Sequence, residues 1–314
     1  MPADTDILSQ PAPTEPPRLT SRRIGIHTST SGGVSTAAER AYRLGCNTFQ
    51  IFSSSPRQWM GTPISTEQCE KIRALRETYS LAPLVIHVNY LVNLAGMTAE
   101  FHAKSIAAFR GELERGLALG AEFLVLHPGS FRDGTREQGF ANVVQGISKA
   151  ADGLDLESAN LTVLIENSAG SEHSLGSTFE SVAELIARLR GVAPAAACID
   201  TCHTHVAGYE IVSESGMDET LTKLDATVGL DNVHVWHCND AKAAFGSKLD
   251  RHQHIGEGSI GSEPFRRLLN HPRLAHAAFI AETPIDAPGD DLRNVEALKQ
   301  LVEEKSAALA GARK

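Results

Sequence analysis

Eight short apolar runs alternating with helix-like segments predict a (β/α)8 barrel formed by a single domain of this 314-residue chain. Residue types that bind metals stand at the ends of successive runs. The steps from His87 to His127, Glu166, Asp200, His237 and Glu282 are 40, 39, 34, 37 and 45 residues. Each step has the length of one strand, loop, helix and return loop. An open doubly wound sheet is disfavoured because Ser31-Gly32-Gly33, after the first run, does not fit the dinucleotide fingerprint G-x-G-x-x-G.

Residues 1–21 hold five prolines with almost no apolar periodicity and read as a disordered arm. The barrel is expected over 22–308, with a flexible end at 309–314. Its strands are RIGIHTS (23–29), NTFQIFS (47–53), PLVIHVN (83–89), FLVLHPG (123–129), TVLIENS (162–168), AACIDTC (196–202), VHVWHCN (233–239) and AFIAETP (278–284). Each has four to six apolar or β-branched residues followed by polar or turn residues, as expected of a strand buried on both faces. Between them, STAAERAYRLG, EQCEKIRALRETYS, the segment from Thr98 to Leu119 and FESVAELIARLR have helical spacing. Ser177 or Thr178 is a candidate N-cap for the last of these.

The formal charge of −9 excludes a protein coated by a basic stripe, but three bound divalent ions would bring the balance to about −3. Nucleic acid is therefore neither supported nor excluded by charge. Five cysteines without a closely spaced framework suggest reduced thiols and a cytoplasmic location. Cys202 and Cys238 lie near proposed ligands, but each has a better oxygen or nitrogen ligand within a few residues. No secretory signal or membrane-spanning run is evident, so a soluble protein without membrane partners is expected.

His87, His127, Glu166, Asp200, His237 and Glu282 would converge on the C-terminal mouth of such a barrel, where barrel enzymes place their chemistry. A lone histidine at a strand end is usually a hydrogen-bonded core residue, and a lone acid usually a cap or ion-pair partner. Neither reading explains six successive strands ending in ligand types. Asp200 and His203 face one side if a helical turn follows the strand, and Asp250 and His252 do so in an extended segment. Five histidines and four carboxylates suit two or three ions. His27 stands evenly between ligand and structural roles.

The segments LHPGS, IENSAG, CIDTCHTHVAGYE, HCND, KLDRHQHIGEG and AETP, in that order, closely resemble the endonuclease IV family of apurinic/apyrimidinic endonucleases. The resemblance runs from about Arg23 to Leu301, and CIDTCH and DRHQHIGEG are its specific parts. It implies three zinc ions, with manganese an option in one position. One ion would be held by His87, His127 and Glu166, a second by Glu166, Asp200, His237 and Glu282, and a third by His203, Asp250 and His252. It also implies that Arg57, in SSSPRQW, and Tyr90 and Leu91, in HVNYLVNL, enter a DNA duplex at a damaged nucleotide. One departure follows IENSAG: the family often continues with glutamine and glycine, whereas Ser171 and Glu172 stand here.

The activity so implied is hydrolysis of the phosphodiester 5′ to abasic sites in double-stranded DNA, leaving a 3′-hydroxyl and a 5′-deoxyribose phosphate, together with removal of blocked 3′ ends. Glu166, shared by two ions, would be the catalytic carboxylate, and a monomer is expected. The competing enzyme class is a xylose-isomerase-like sugar isomerase or epimerase, which would need only Glu166, Asp200, His237 and Glu282. A non-catalytic damage-binding protein is the third reading, and the intact ligand set argues against it.

Overall fold

The computed structural model describes residues 6–303. The expected C-terminal tail at 309–314 and the first five residues of the arm lie outside the described residues. Eight parallel strands form the barrel: β1 (Arg23–Ile26), β2 (Phe49–Ile51), β3 (Leu84–His87), β4 (Phe123–Leu126), β5 (Thr162–Glu166), β6 (Ala195–Asp200), β7 (Val233–His237) and, last in the chain, β10 (Ala278–Ala281). Between β7 and β10 a small antiparallel hairpin, β8 (Asp240–Ala241) and β9 (His252–Gln253), rises as a separate two-stranded sheet. Nothing in the apolar pattern announced it, because each of its strands is only two residues long.

Nine α-helices accompany the strands among the described residues: α1 (Val34–Arg43), α2 (Thr66–Thr78), α3 (Ala99–Leu119), α4 (Arg136–Ala151), α5 (Phe179–Arg188), α6 (Thr201–Ala207), α7 (Glu214–Thr227), α8 (Ser262–Asn270) and α9 (Asp290–Gln300). Their starts follow local chemistry. Thr135 and Gln138 form a reciprocal capping box at α4, and the Thr178 side chain accepts from Ser181 N at α5.

Strand alternation divides the core in two. Val85, Val125, Leu164, Ala196, Cys198, Val235, Ala278 and Ile280 point inward and fill the barrel. Their neighbours, among them Ile86, Leu124, Ile165, Ile199, Trp236 and Phe279, point outward into the cluster shared with the helices.

The barrel closes between β1 and β2 by a sparser seam than elsewhere. Asn47 N donates to Ile24 O at 3.0 Å, Ile24 N donates to the Asn47 side chain at 2.7 Å, and Thr28 N donates to Gln50 O at 2.8 Å. His27 and Gln50 form an isolated parallel bridge. Gly25 makes the approach possible, since a Cβ there would lie 2.2 Å from the Thr48 carbonyl oxygen. Gly25→Ala should therefore destabilise the fold by about 3 kcal/mol, read as a lower denaturant midpoint at unchanged slope.

Part of the arm expected to be disordered is docked. Ile7–Ser9 form one 3-10 turn, Ile7 is buried, and the Asp6 carboxylate accepts from Arg40 Nε at 2.9 Å on α1. One apolar side chain and one ion pair give this segment contacts that its proline content concealed. The Arg40 hydrogen bond holds the Asp6 carboxyl below its ordinary range, so its stabilisation is present above the unfolded Asp pKa and is lost as pH falls through the folded value. Asp6→Asn should cost about 1 kcal/mol at pH 7. The difference between wild type and variant, followed by thermal unfolding, should shrink below about pH 4.

Candidate metal centre

In six strands the proposed ligand follows, by two residues, a side chain that fills the barrel interior: Val85 and His87, Val125 and His127, Leu164 and Glu166, Cys198 and Asp200, Val235 and His237, Ile280 and Glu282. Because side chains repeat every two residues, the ligands form the next layer above the apolar core, at the C-terminal mouth. Asp200 also caps α6, accepting from His203 N at 2.7 Å, and this first helical turn brings His203 inward. The β8–β9 hairpin delivers Asp250 and His252 from the other side. All nine proposed ligands meet.

Glu166 is fully buried at the centre. Its Oε2 lies 3.3 Å from His87 Nε2 and 3.2 Å from His127 Nε2, and its Oε1 lies 2.9 Å from His237 Nδ1. His237 Nδ1 is also 3.2 Å from Glu282 Oε2. Asp250 spans the third group, with Oδ2 3.2 Å from His203 Nε2 and Oδ1 3.1 Å from His252 Nε2. A cavity of about 270 Å³ opens over these residues, lined also by His27, Phe52, Tyr90 and Thr283. A larger hollow of about 550 Å³, lined by Leu154–Leu156 and Gly191–Pro194, lies at the opposite end of the barrel, where Val163 N meets Pro194 O, and carries no histidine.

Four of the five histidines have their other ring nitrogen engaged. His87 Nδ1 meets Val88 O at 2.7 Å, His203 Nδ1 meets Asn167 O at 2.9 Å, His237 Nε2 meets Gln50 Oε1 at 2.9 Å, and His252 Nδ1 meets Glu282 O at 3.0 Å. In each case the acceptor fixes a proton on that nitrogen, so loss of the ring's other proton frees the inward lone pair, the form a metal requires. His252 Nε2 is buried and faces Asp250 Oδ1 at 3.1 Å as an ion pair without hydrogen-bond geometry.

The carboxylates have no lysine or arginine partner: among the described residues, Glu166, Asp200, Asp250 and Glu282 form ion pairs with histidines alone. Burial opposes the charge on Glu166 and Glu282, yet the surrounding imidazoles hold both carboxyls well below their usual range. Burial likewise opposes protonation of His203, but Asp200, Asp250 and Glu166 outweigh it and push its pKa up to about 10. His252 rises to about 9 by the same balance, whereas burial drives His127 down to about 4. Anionic oxygens and neutral-capable imidazoles at this density fit divalent cations, which would replace the protons that hold the cluster together.

Sequence reading missed the residues that complete and orient this layer. Gln50 donates to Glu282 Oε1 at 2.6 Å and meets His27 Nδ1 at 3.0 Å, so His27 and Gln50 supply the β1 and β2 members of the ring. The signal was available: Gln50 is a polar residue inside an apolar strand, and His27, whose role the sequence left open, ends the first. Asn239 donates to Asp200 Oδ2 at 2.6 Å and accepts from Glu282 N at 2.7 Å, bracing two ligands at once. Cys198 lies beside Glu166 and His237, but burial pushes its thiol up to about 12, so it packs as a neutral group. Cys202 lies near Asp250 and His252 and donates to Arg251 O, its thiol likewise raised by burial, and Cys238 is buried. Of the proposed DNA contacts, Arg57 and Tyr90 are exposed on the rim and Leu91 is half-buried, with Tyr90 edge-on to Phe52 at 5.1 Å. Ser171 and Glu172 are exposed on the loop after β5.

Barrel and ligand cluster together define a metalloenzyme-type site of the family described as xylose isomerase-like TIM barrel, which matches residues 38–304. A probable endonuclease 4 from Solibacter usitatus is 51% identical over 90% of this chain and 98% of its own length. One from Methanosphaerula palustris is 39% identical over 89% and 98%. The crystal structure of endonuclease IV from Thermus thermophilus superposes with a TM-score of 0.79 at 38% identity, covering 89% of this chain and 98% of that one. A D-tagatose 3-epimerase-like protein shares the fold with a TM-score of 0.65 at 20% identity. Within the barrel family, the chain belongs to the endonuclease IV proteins.

Asn239→Ala should weaken metal affinity by about tenfold to a hundredfold, because Asp200 and Glu282 lose their common brace. Competition with a chromophoric chelator measures the change.

Proposed function

We infer that this protein is a metal-dependent DNA-repair endonuclease that hydrolyses the phosphodiester 5′ to abasic sites in double-stranded DNA, leaving a 3′-hydroxyl and a 5′-deoxyribose phosphate, and that also removes blocked 3′ ends. The reading is carried by one observation: four carboxylates and five histidines converge on the mouth of an endonuclease IV chain with no lysine or arginine paired to the carboxylates among the described residues. His87, His127 and Glu166 would hold one ion, Glu166, Asp200, His237 and Glu282 a second, and His203, Asp250 and His252 a third, with zinc expected and manganese an option in one position. When bound, the ions supply Lewis-acid charge that activates water and neutralises the phosphate.

The chain's own residues do the positioning. Glu166 presents one oxygen toward His87 and His127 and the other toward His237, so a single carboxylate serves two groups of ligands. Asp250 presents its two oxygens to two rings in the same way. Arg57, Tyr90 and Leu91 would fill the gap left by a displaced nucleotide, an exchange that costs least where no base stacks or pairs. One chain supplies the whole ligand set, which supports action as a monomer.

A sugar isomerase or epimerase of the same barrel family is the second reading. It would use Glu166, Asp200, His237 and Glu282, and it leaves the His203–Asp250–His252 group without a purpose. A duplex containing one abasic site should be cut on its 5′ side by protein that elemental analysis shows to carry near three metals per chain, and near one would favour the isomerase. Glu166→Gln should lower cutting by about a thousandfold or more with little change in secondary structure. An uncut duplex with fully loaded wild-type protein would defeat the reading.

A further inference from the structure

We propose that the buried ion pair between Glu112 and Arg115 on α3 is a positioning device for the loop of residues 53–61, holding Arg57 in place for DNA. The inference rests on the functional reading above, which assigns Arg57 to the duplex. Glu112 is 1% exposed and the Arg115 side chain 12%, with Arg115 Nη2 3.1 Å from Glu112 Oε1. A buried pair of this kind is a poor source of stability, since desolvation of both charges offsets most of their attraction. Its contacts point instead to the loop that leaves β2.

Arg115 Nε donates to Ser53 Oγ at 2.7 Å, and Nη2 reaches Ser54 Oγ at 3.4 Å. The Ser53 hydroxyl donates in turn to Glu112, and that of Ser54 reaches Glu112 Oε1 at 3.4 Å. Eight residues on from Ser53, the returning strand of the loop closes on the same guanidinium. A Cβ at Gly61 would stand 2.6 Å from Arg115 Nη1, and one at Gly111, a turn earlier on α3, would stand 2.9 Å from it. The departure of the loop is thus hydrogen-bonded to one charged group, and its return packs closely against the same group.

Between these points the chain makes a tight turn, with Gln58 N donating to Ser55 O at 3.2 Å, and Arg57 projects from it, exposed and paired with no carboxylate among the described residues. Asn89 links this loop to the other DNA-facing one. Its Nδ2 reaches Gln58 O at 3.5 Å while its Oδ1 accepts from Leu91 N at 3.0 Å. A loop bonded at its start, packed at its return and braced at its tip loses less freedom when it meets a duplex, so the clamp acts on substrate binding.

The test uses full-length, metal-loaded protein, a duplex bearing a tetrahydrofuran abasic analogue, and bis(p-nitrophenyl) phosphate as a diester with no duplex to enter. Ser53→Ala with Ser54→Ala should raise KM for the duplex about tenfold with kcat within about twofold, leaving metal content and small-diester hydrolysis unchanged. In an Arg57→Ala background the same serine changes should have no further effect, because the clamp acts through Arg57. Glu112→Gln should follow the serine pair. Should it not fold, the serine pair carries the test alone. An unchanged KM, a full additive loss on top of Arg57→Ala, or an equal loss on the small diester would overturn the proposal. A wild type that does not cut the duplex overturns the functional reading and the clamp with it, whereas a cutting wild type with additive variants overturns the clamp alone.

Discussion

The two-residue repeat of inward side chains in a parallel barrel is the constraint on which the site depends. Once Val85, Val125, Leu164, Cys198, Val235 and Ile280 pack inside, the residue two places on in each strand has no choice of direction. Six ligand types occupy those places, and His27 and Gln50 fill the remaining two. The candidate metal centre is therefore a layer of the core in which apolar side chains have been exchanged for charged ones. The exchange is tolerated because the carboxylates and imidazoles neutralise each other in the folded chain and would bind cations in the working one.

That origin explains the division of labour around the ring. Strand-borne ligands are rigid, and their rotamers are set by neighbours such as Gln50 and Asn239. The third group is built otherwise. His203 comes from the first turn of α6, and Asp250 and His252 from a hairpin outside the barrel. The hairpin is itself held down by Asp240, whose carboxylate accepts from the backbone N–H groups of Gly256, Gly258 and Ile260 at 2.9 to 3.0 Å. One buried acid that touches no ligand thus fixes the loop that follows His252.

Strand positions were readable from the chain because buried parallel strands are continuous apolar runs, and the residues that converge on the mouth were readable because polar ligand types at the ends of such runs need a reason. His87, His127, Glu166, Asp200, His237 and Glu282 all carried that signal. Gln50 carried it more weakly, being uncharged and set inside a run, and Asn239 not at all, since its role depends on Asp200 and Glu282 being adjacent in space. The β8–β9 hairpin escaped notice because its strands are too short and polar to show a period. The docking of residues 6–9 within the arm was hidden for the reverse reason: the proline content masked the apolar contact of Ile7 and the charge pair of Asp6, both long-range. The Glu112–Arg115 pair reads in sequence as an ordinary i,i+3 surface pair, and only packing buries it.

The β1–β2 seam has a dynamic consequence. Among the described strands it is the junction of the barrel without a continuous ladder, joined by an isolated bridge, and the side chains that cross it, His27 and Gln50, also contact Glu282 and His237. A barrel opens first where its ladder is thinnest. Here the easiest breathing motion of the sheet and the loosening of the ligand ring are one coordinate, so anything that tightens the ring also laces the barrel shut.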